Sequence, residues 1–143
     1  MVAAHGDHFV AEGAQVHLDL GNLSEAKLHA DEALKLAQTN HERALEGVGW
    51  MQLGRVVGRM EVPRIDRAEG FMRRGMKIFD ELELKPSCAI CCLCLGELYA
   101  GAGQKERALE NLKKARAMFQ EMGMDYYLVR TKKLLESLET GVS

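Results

Sequence analysis

Apolar residues recur at three- and four-residue steps along most of the chain, which is the spacing of one face of an α-helix. This pattern predicts three helical hairpins followed by one more helix. The predicted helices span residues 3–20 with 23–38, 41–60 with 64–82, 87–101 with 105–122, and finally 125–140. Because no stretch alternates apolar and polar residues as a half-buried strand does, we predict an all-α fold.

The three predicted hairpins resemble one another in sequence. Each second helix follows a short polar turn and carries an alanine, with further small or apolar residues at helical spacing. These alanines are Ala26, Ala68 and Ala108, which lie 42 and 40 residues apart. The corresponding small residues of the first helices are Ala14, Gly54 and Gly96. A period of roughly 20–50 residues is typical of a solenoid built from stacked repeats.

These positions resemble the tetratricopeptide repeat, which carries Leu-Gly and an aromatic residue in its first helix and two alanines around an apolar residue in its second. The best match is the third hairpin, with Leu95-Gly96, Tyr99, Ala108, Leu112 and Ala115. The second hairpin matches at Trp50, Leu53-Gly54, Val57, Ala68, Met72 and Gly75, and the first at Val10, Gly13-Ala14, His17, Ala26, Ala30 and Ala33. The resemblance implies a right-handed superhelix in a single domain, residues 1–143. Its repeats are 3–38, 41–82 and 87–122, with a capping helix at 125–140.

The repeat period averages about 41 residues, longer than the common 34-residue form. Repeats of this length are similar to those of large bacterial signalling proteins, where tetratricopeptide arrays follow an ATPase module and sometimes accompany a nucleotide cyclase or a DNA-binding domain. The ending "ARAMFQEMGMDYYLVRTKKLLESLE" resembles the last repeat and capping helix of such an array. At the other end, Phe9 and Val16 lie on the side that an earlier repeat would cover. We therefore expect either a C-terminal fragment or a chain that self-associates through this N-terminal face.

The charge balance does not point to a particular class of partner. Lys and Arg number 19 against 21 Asp and Glu, so the formal net charge is −2 and favours neither nucleic acid nor an anionic membrane as a partner. No apolar run approaches the roughly 18–20 residues that cross a bilayer, and the start lacks the pattern of a signal peptide. We expect a cytoplasmic protein with reduced thiols.

All four cysteines lie in "CAICCLC", residues 88–94. On a helix, Cys88, Cys91 and Cys92 share the stripe that packs on the partner helix, whereas Cys94 points elsewhere. A four-thiolate zinc site takes its ligands from separated pairs, and a C-x-x-C motif suggests redox chemistry beside a βαβ pattern. Core packing is therefore favoured over redox chemistry and over metal binding, and we expect no stoichiometric metal.

The sequence contains no pattern that we interpret as a catalytic or cofactor-binding site. His5 and His8 are one turn apart, but no third metal ligand accompanies them. No phosphate-binding loop, nucleophile elbow or paired-carboxylate motif is apparent. The basic stretch "MRRGMK", residues 72–77, is interpreted as a solvated helix face. We predict that the chain is not an enzyme.

The remaining candidate for a functional site is a binding surface. In tetratricopeptide domains the first helices line a concave groove, and the resemblance places eight residues of the second and third hairpins there: Val48, Met51, Gln52, Arg55, Arg59, Ile90, Leu93 and Glu97. An apolar middle flanked by arginines suits an amphipathic helix or an extended apolar segment of a partner protein. The alternative is that an adjoining helix of the same protein covers the groove. We expect a protein-interaction module, or else a regulatory piece of a larger signalling enzyme or transcription regulator.

Overall fold

A computed structural model of the chain describes residues 22–60 and 65–141, which form six α-helices. The helices are α1 (Leu23–Thr39), α2 (Arg43–Met60), α3 (Ile65–Glu81), α4 (Lys85–Gly101), α5 (Lys105–Met122) and α6 (Asp125–Glu139). No strand occurs within these two ranges, so the all-α prediction is confirmed for them. The predicted helix at residues 3–20 lies outside the described residues.

The helices group into two compact units that divide between Leu82 and Glu83. In the first unit, α2 packs against both α1 and α3; in the second, α5 packs against α4 and α6, and α4 also touches α6. The predicted pairing of residues 41–60 with 64–82, and of 87–101 with 105–122, is confirmed by α2 with α3 and by α4 with α5. That residues 1–143 form a single domain stays a prediction.

Helices α1, α3 and α5 bury the same four helical positions, spaced i, i+4, i+7 and i+11. The residues are Ala26, Ala30, Ala33 and Ala37 in α1, Ala68, Met72, Gly75 and Phe79 in α3, and Ala108, Leu112, Ala115 and Phe119 in α5. Every side chain of this set is at most 2% exposed. The first three positions were predicted from the sequence register, and the fourth is added by the structure. Helices α1, α3 and α5 therefore share one packing scheme.

Equivalent glycines let the paired helices approach closely in both units. A Cβ atom on Gly54 of α2 would lie 2.8 Å from the carbonyl oxygen of Ala68 and 2.6 Å from Cγ of Met72. A Cβ atom on Gly96 of α4 would lie 2.5 Å from Cδ2 of Leu112. Of these two glycines, Gly54 makes the tighter backbone contact, because the nearest carbonyl oxygen to a Cβ atom on Gly96, that of Ala108, lies 3.5 Å away.

Three of the turns between helices are built in the same way. The amide two or three residues past the helix donates to a carbonyl of the last turn at 2.9 Å, and the residue before that amide takes a left-handed conformation. The amide–carbonyl pairs are Glu42 to Ala37, Gln104 to Tyr99, and Met124 to Phe119. The left-handed residues are His41 (φ 55°), Gly103 (φ 77°) and Gly123 (φ 69°). The prediction that a helix begins at residue 41 was wrong, because His41 belongs to the turn and α2 begins at Arg43.

Replacing His41 by glycine is expected to stabilise the first unit. A left-handed conformation costs a residue with a Cβ atom roughly 1–2 kcal/mol, which exceeds the extra entropy that glycine loses on folding. We expect His41→Gly to raise the free energy of unfolding by about 0.5–1 kcal/mol, measured by urea denaturation followed by circular dichroism. Gly103→Ala, the reverse change at an equivalent turn, should lower it. A destabilised His41→Gly chain would contradict the turn geometry.

Candidate functional site

Five of the eight predicted groove residues lie on α2, and they differ in exposure. Met51 and Gln52 are buried, with 7% and 8% of their surface exposed. Val48 and Arg55 are half-buried, and Arg59 is exposed. The guanidinium of Arg55 donates to Oε1 of Gln52 at 3.3 Å, so the buried amide is hydrogen-bonded. Of the five predicted groove residues on α2, the accessible ones are therefore Val48, Arg55 and Arg59.

The other three predicted groove residues lie on α4. Leu93 is only 1% exposed, so it contributes packing rather than contact surface. Ile90 is half-buried. Glu97 is half-buried and accepts a hydrogen bond from Nη2 of Arg130 at 3.0 Å. On α4, Ile90 and Glu97 are thus the accessible members of the set. That these residues and those of α2 line one groove stays a prediction.

The ion pair between Glu97 and Arg130 joins α4 to α6. Burial by itself would lower the pKa of the Arg130 guanidinium. The charge of Glu97 and the hydrogen bond to its carboxylate act in the opposite direction, with smaller contributions from Cys94 and Tyr126, and the net pKa of Arg130 is raised. Arg130 therefore stays positively charged over the whole physiological pH range. The ion pair orients the carboxylate of Glu97, and both of its residues belong to the second unit.

All four cysteines are buried thiols on α4. This confirms the packing role predicted for Cys88, Cys91 and Cys92. The expectation that Cys94 points away from the packed side is corrected, because Cys94 is only 5% exposed. The reason is that residues 91–96 are all buried, and six consecutive helical residues cover every side of a helix. Within residues 22–60 and 65–141, no group of three or more His, Cys, Asp or Glu side chains is arranged to hold a metal ion.

One arrangement was not anticipated from the sequence: two stacked aromatic rings on α2 and α3, each with a guanidinium group over it. We call Arg67, Phe71, Trp50 and Arg74 the arginine–aromatic ladder. The rings of Trp50 and Phe71 stack with centroids 5.7 Å apart. Arg74 lies 4.8 Å from the centroid of Trp50, and Arg67 lies 5.6 Å from that of Phe71. The spacing of residues 67, 71 and 74 on one helix face is the signal that could have revealed it.

Polar contacts connect the ladder to the start of α2 and the end of α3. Trp50 Nε1 donates to Oε2 of Glu46 at 3.3 Å. Arg43 donates to Glu46 at 3.3 Å and to Glu81 at 2.8 Å, which links the start of α2 to the end of α3. Each exposed ion pair contributes only about 0–1 kcal/mol. Their main effect is to hold the Trp50 ring and the two helices in one arrangement.

No known protein family matches the sequence, and no curated protein sequence matches it. Among the described helices, none is both long and apolar enough to span a bilayer. What the chain does has to be inferred from its own residues.

Proposed function

We propose that this chain is a protein-interaction module, a tetratricopeptide-like right-handed superhelix without a catalytic site or cofactor of its own. The observation that carries the proposal is the shared packing scheme: α1, α3 and α5 bury the same four positions, and Gly54 and Gly96 pack at equivalent places. Repeats of this kind present the same face of every first helix to a partner. The module binds a peptide or helix of another protein along that face.

The proposed contact surface combines apolar and charged side chains. On α2, Val48 shares a helix face with Arg55 and Arg59 at i+7 and i+11, and on α4, Ile90 lies near Glu97 in sequence. A partner helix with an apolar stripe and acidic flanks complements the α2 residues best. Three further members of the predicted set are buried and are not part of this contact surface: Met51, Gln52 and Leu93.

A second candidate is a C-terminal regulatory piece of a larger cytoplasmic signalling enzyme or transcription regulator in a bacterium, of the ATPase or nucleotide-cyclase type. The observation that favours it is the long repeat: the buried stripes of α3 and α5 lie 40 residues apart, rather than the common 34. A native reading frame that extends upstream into an ATPase or cyclase would support this candidate. Self-association through Phe9 and Val16, which lie outside the described residues, is tested by light scattering over a concentration series.

The interaction surface is tested by charge reversal at half-buried Arg55 and exposed Arg59. We expect Arg55→Glu with Arg59→Glu to abolish capture of a partner that the wild-type chain retains in a pull-down, because both arginines lie on the proposed surface. Lys113→Glu with Lys114→Glu is the matched control, since it reverses two exposed charges on α5. Substitutions to Glu at Met51 or Leu93 would place a charge in the core and test stability instead. Equal loss in both double variants would contradict the proposed surface.

A further inference from the structure

One side of α2 carries cations but no carboxylate. Four residues follow one another there at i, i+4, i+7 and i+11, and we call them the α2 stripe: Val48, Gln52, Arg55 and Arg59. The whole of α2 has three arginines and one carboxylate. That carboxylate belongs to Glu46, which is not part of the stripe and pairs with Arg43. The stripe is therefore positively charged.

The donor groups of the α2 stripe outnumber the acceptors that the described residues offer them. Arg55 donates to Oε1 of Gln52 at 3.3 Å, which is a neutral acceptor. No carboxylate of residues 22–60 or 65–141 pairs with Arg55 or Arg59. Within the same ranges no acceptor binds Nε2 of Gln52, although this residue is buried. Because a buried N–H group is nearly always hydrogen-bonded, we expect its acceptor to lie outside these ranges.

The part of the chain that precedes α1 has the complementary charge. Residues 1–21 contain three carboxylates, those of Asp7, Glu12 and Asp19, and neither Lys nor Arg. Apolar residues recur between these carboxylates. The segment thus combines the two properties that suit an apolar residue flanked by arginines, namely apolar side chains and negative charge.

This segment joins the described chain close to the α2 stripe. It ends at Asn22, which is the N-cap of α1. In the first turn of α1, Ala26 packs against Val56 of α2. Val56 is the neighbour of Arg55 in the sequence. Because the tether starts beside the stripe, a contact between the two closes only a short loop and costs little chain entropy.

We propose that residues 3–20 occupy the α2 stripe of the same chain, with the carboxylates of Glu12 and Asp19 paired with Arg55 and Arg59. Such pairs form charge-assisted hydrogen bonds, and the tether gives the segment a high effective concentration at the stripe. The inference rests on the proposed function, because the segment takes the place of the partner helix. The contact is autoinhibitory, since a partner has to displace the segment.

Charge reversal on both sides of the contact tests the proposal in the full chain. Arg55→Glu with Arg59→Glu, and separately Glu12→Arg with Asp19→Arg, are each expected to lower the urea midpoint, because like charges then face each other. All four changes together restore opposite charges and should recover at least about half of the summed loss. Trp50 is the one tryptophan and lies on α2, so its fluorescence follows unfolding of the first unit.

The matched control leaves the α2 stripe intact. It combines Glu12→Arg and Asp19→Arg with Lys113→Glu and Lys114→Glu, which reverse two exposed charges on α5. The same number of charges is reversed, but we expect the two losses to add without recovery, because the residues do not face each other. Recovery in the stripe variants should also shrink as sodium chloride is added, since salt screens ion pairs.

Glutamine variants carry the test if the reversed arginines prevent folding. Arg55→Gln with Arg59→Gln breaks the proposed ion pairs from one side, and Glu12→Gln with Asp19→Gln breaks them from the other. The loss in the combined variant should be smaller than the sum of the two separate losses, because the second pair of changes finds the ion pairs already broken. Fully additive losses would contradict the contact.

The proposal is overturned if the charge-reversed stripe variants show no recovery, or if the α5 control recovers as much. It is also overturned if recovery occurs only at concentrations where light scattering detects dimers, because the segment would then lie on a second copy. The pull-down with Arg55→Glu and Arg59→Glu keeps this inference distinct from the proposed function. Lost capture without recovery contradicts only the autoinhibitory contact, whereas recovery with unchanged capture supports the contact and contradicts the proposed binding surface.

Discussion

Phe119→Ala is expected to lower the free energy of unfolding of the second unit by about 3–5 kcal/mol, the usual cost of removing a buried aromatic ring. Phe119 is fully buried and its ring stacks on that of Tyr127, with centroids 5.3 Å apart and planes inclined by 20°. Alanine would leave a cavity between α5 and α6. Since small domains are stable by only about 5–15 kcal/mol, this loss is a large part of the total.

The measurement is urea denaturation followed by circular dichroism, with Tyr126→Ala as the matched control. Tyr126 is the neighbouring aromatic residue on α6, but it is 73% exposed. Its edge-on contact with Tyr127 limits the expected loss to under about 1 kcal/mol. If both variants were equally destabilised, Phe119 would not be the buried centre of this unit.

Gly75→Ala is expected to lower the free energy of unfolding by about 1–3 kcal/mol, although it adds only one methyl group. A Cβ atom on Gly75 would lie 2.7 Å from the carbonyl oxygen of Gly47 and 3.3 Å from the amide nitrogen of Met51. Both neighbours are backbone atoms of α2, so no side chain can rotate to make room. Helices α2 and α3 would have to move apart, and the contacts on either side of Gly75 would loosen.

Gly70→Ala provides the control on the same helix, because it is the identical chemical change at an exposed site. A Cβ atom on Gly70 meets nothing within 4 Å. Alanine there gains helix propensity without a clash, and we expect the free energy of unfolding to rise by about 0.5–1 kcal/mol. Opposite signs for the two alanines, measured by urea denaturation, would support the close approach of α2 and α3. Equal effects would contradict it.

The sequence by itself determined the helices and the pairing of neighbouring hairpin helices in the described residues. Both follow from local information: the 3.6-residue period, and turns too short to allow anything but antiparallel neighbours. The buried register of Ala68, Met72 and Gly75 was predictable for the same reason, since it recurs at Ala108, Leu112 and Ala115.

The sequence was less informative where a backbone conformation depends on capping hydrogen bonds. His41 was assigned to the predicted helix at residues 41–60, yet it adopts the left-handed conformation that Gly103 adopts elsewhere. The amide of Glu42 bonds to the carbonyl of Ala37 and closes the turn around it. The free energy gained from this hydrogen bond exceeds the cost of a left-handed conformation for a residue with a Cβ atom. The identity of the residue alone does not reveal this balance.

Only the tertiary structure decided which side chains of the predicted surface are accessible. Met51, Leu93 and Cys94 were assigned by helical register to an open side, but the packing of the chain buries all three. The arginine–aromatic ladder likewise needs two helices at a particular offset, so that Trp50 of α2 reaches between Phe71 and Arg74 of α3. Periodicity specifies one face of one helix, whereas burial and stacking depend on what a second helix places against it.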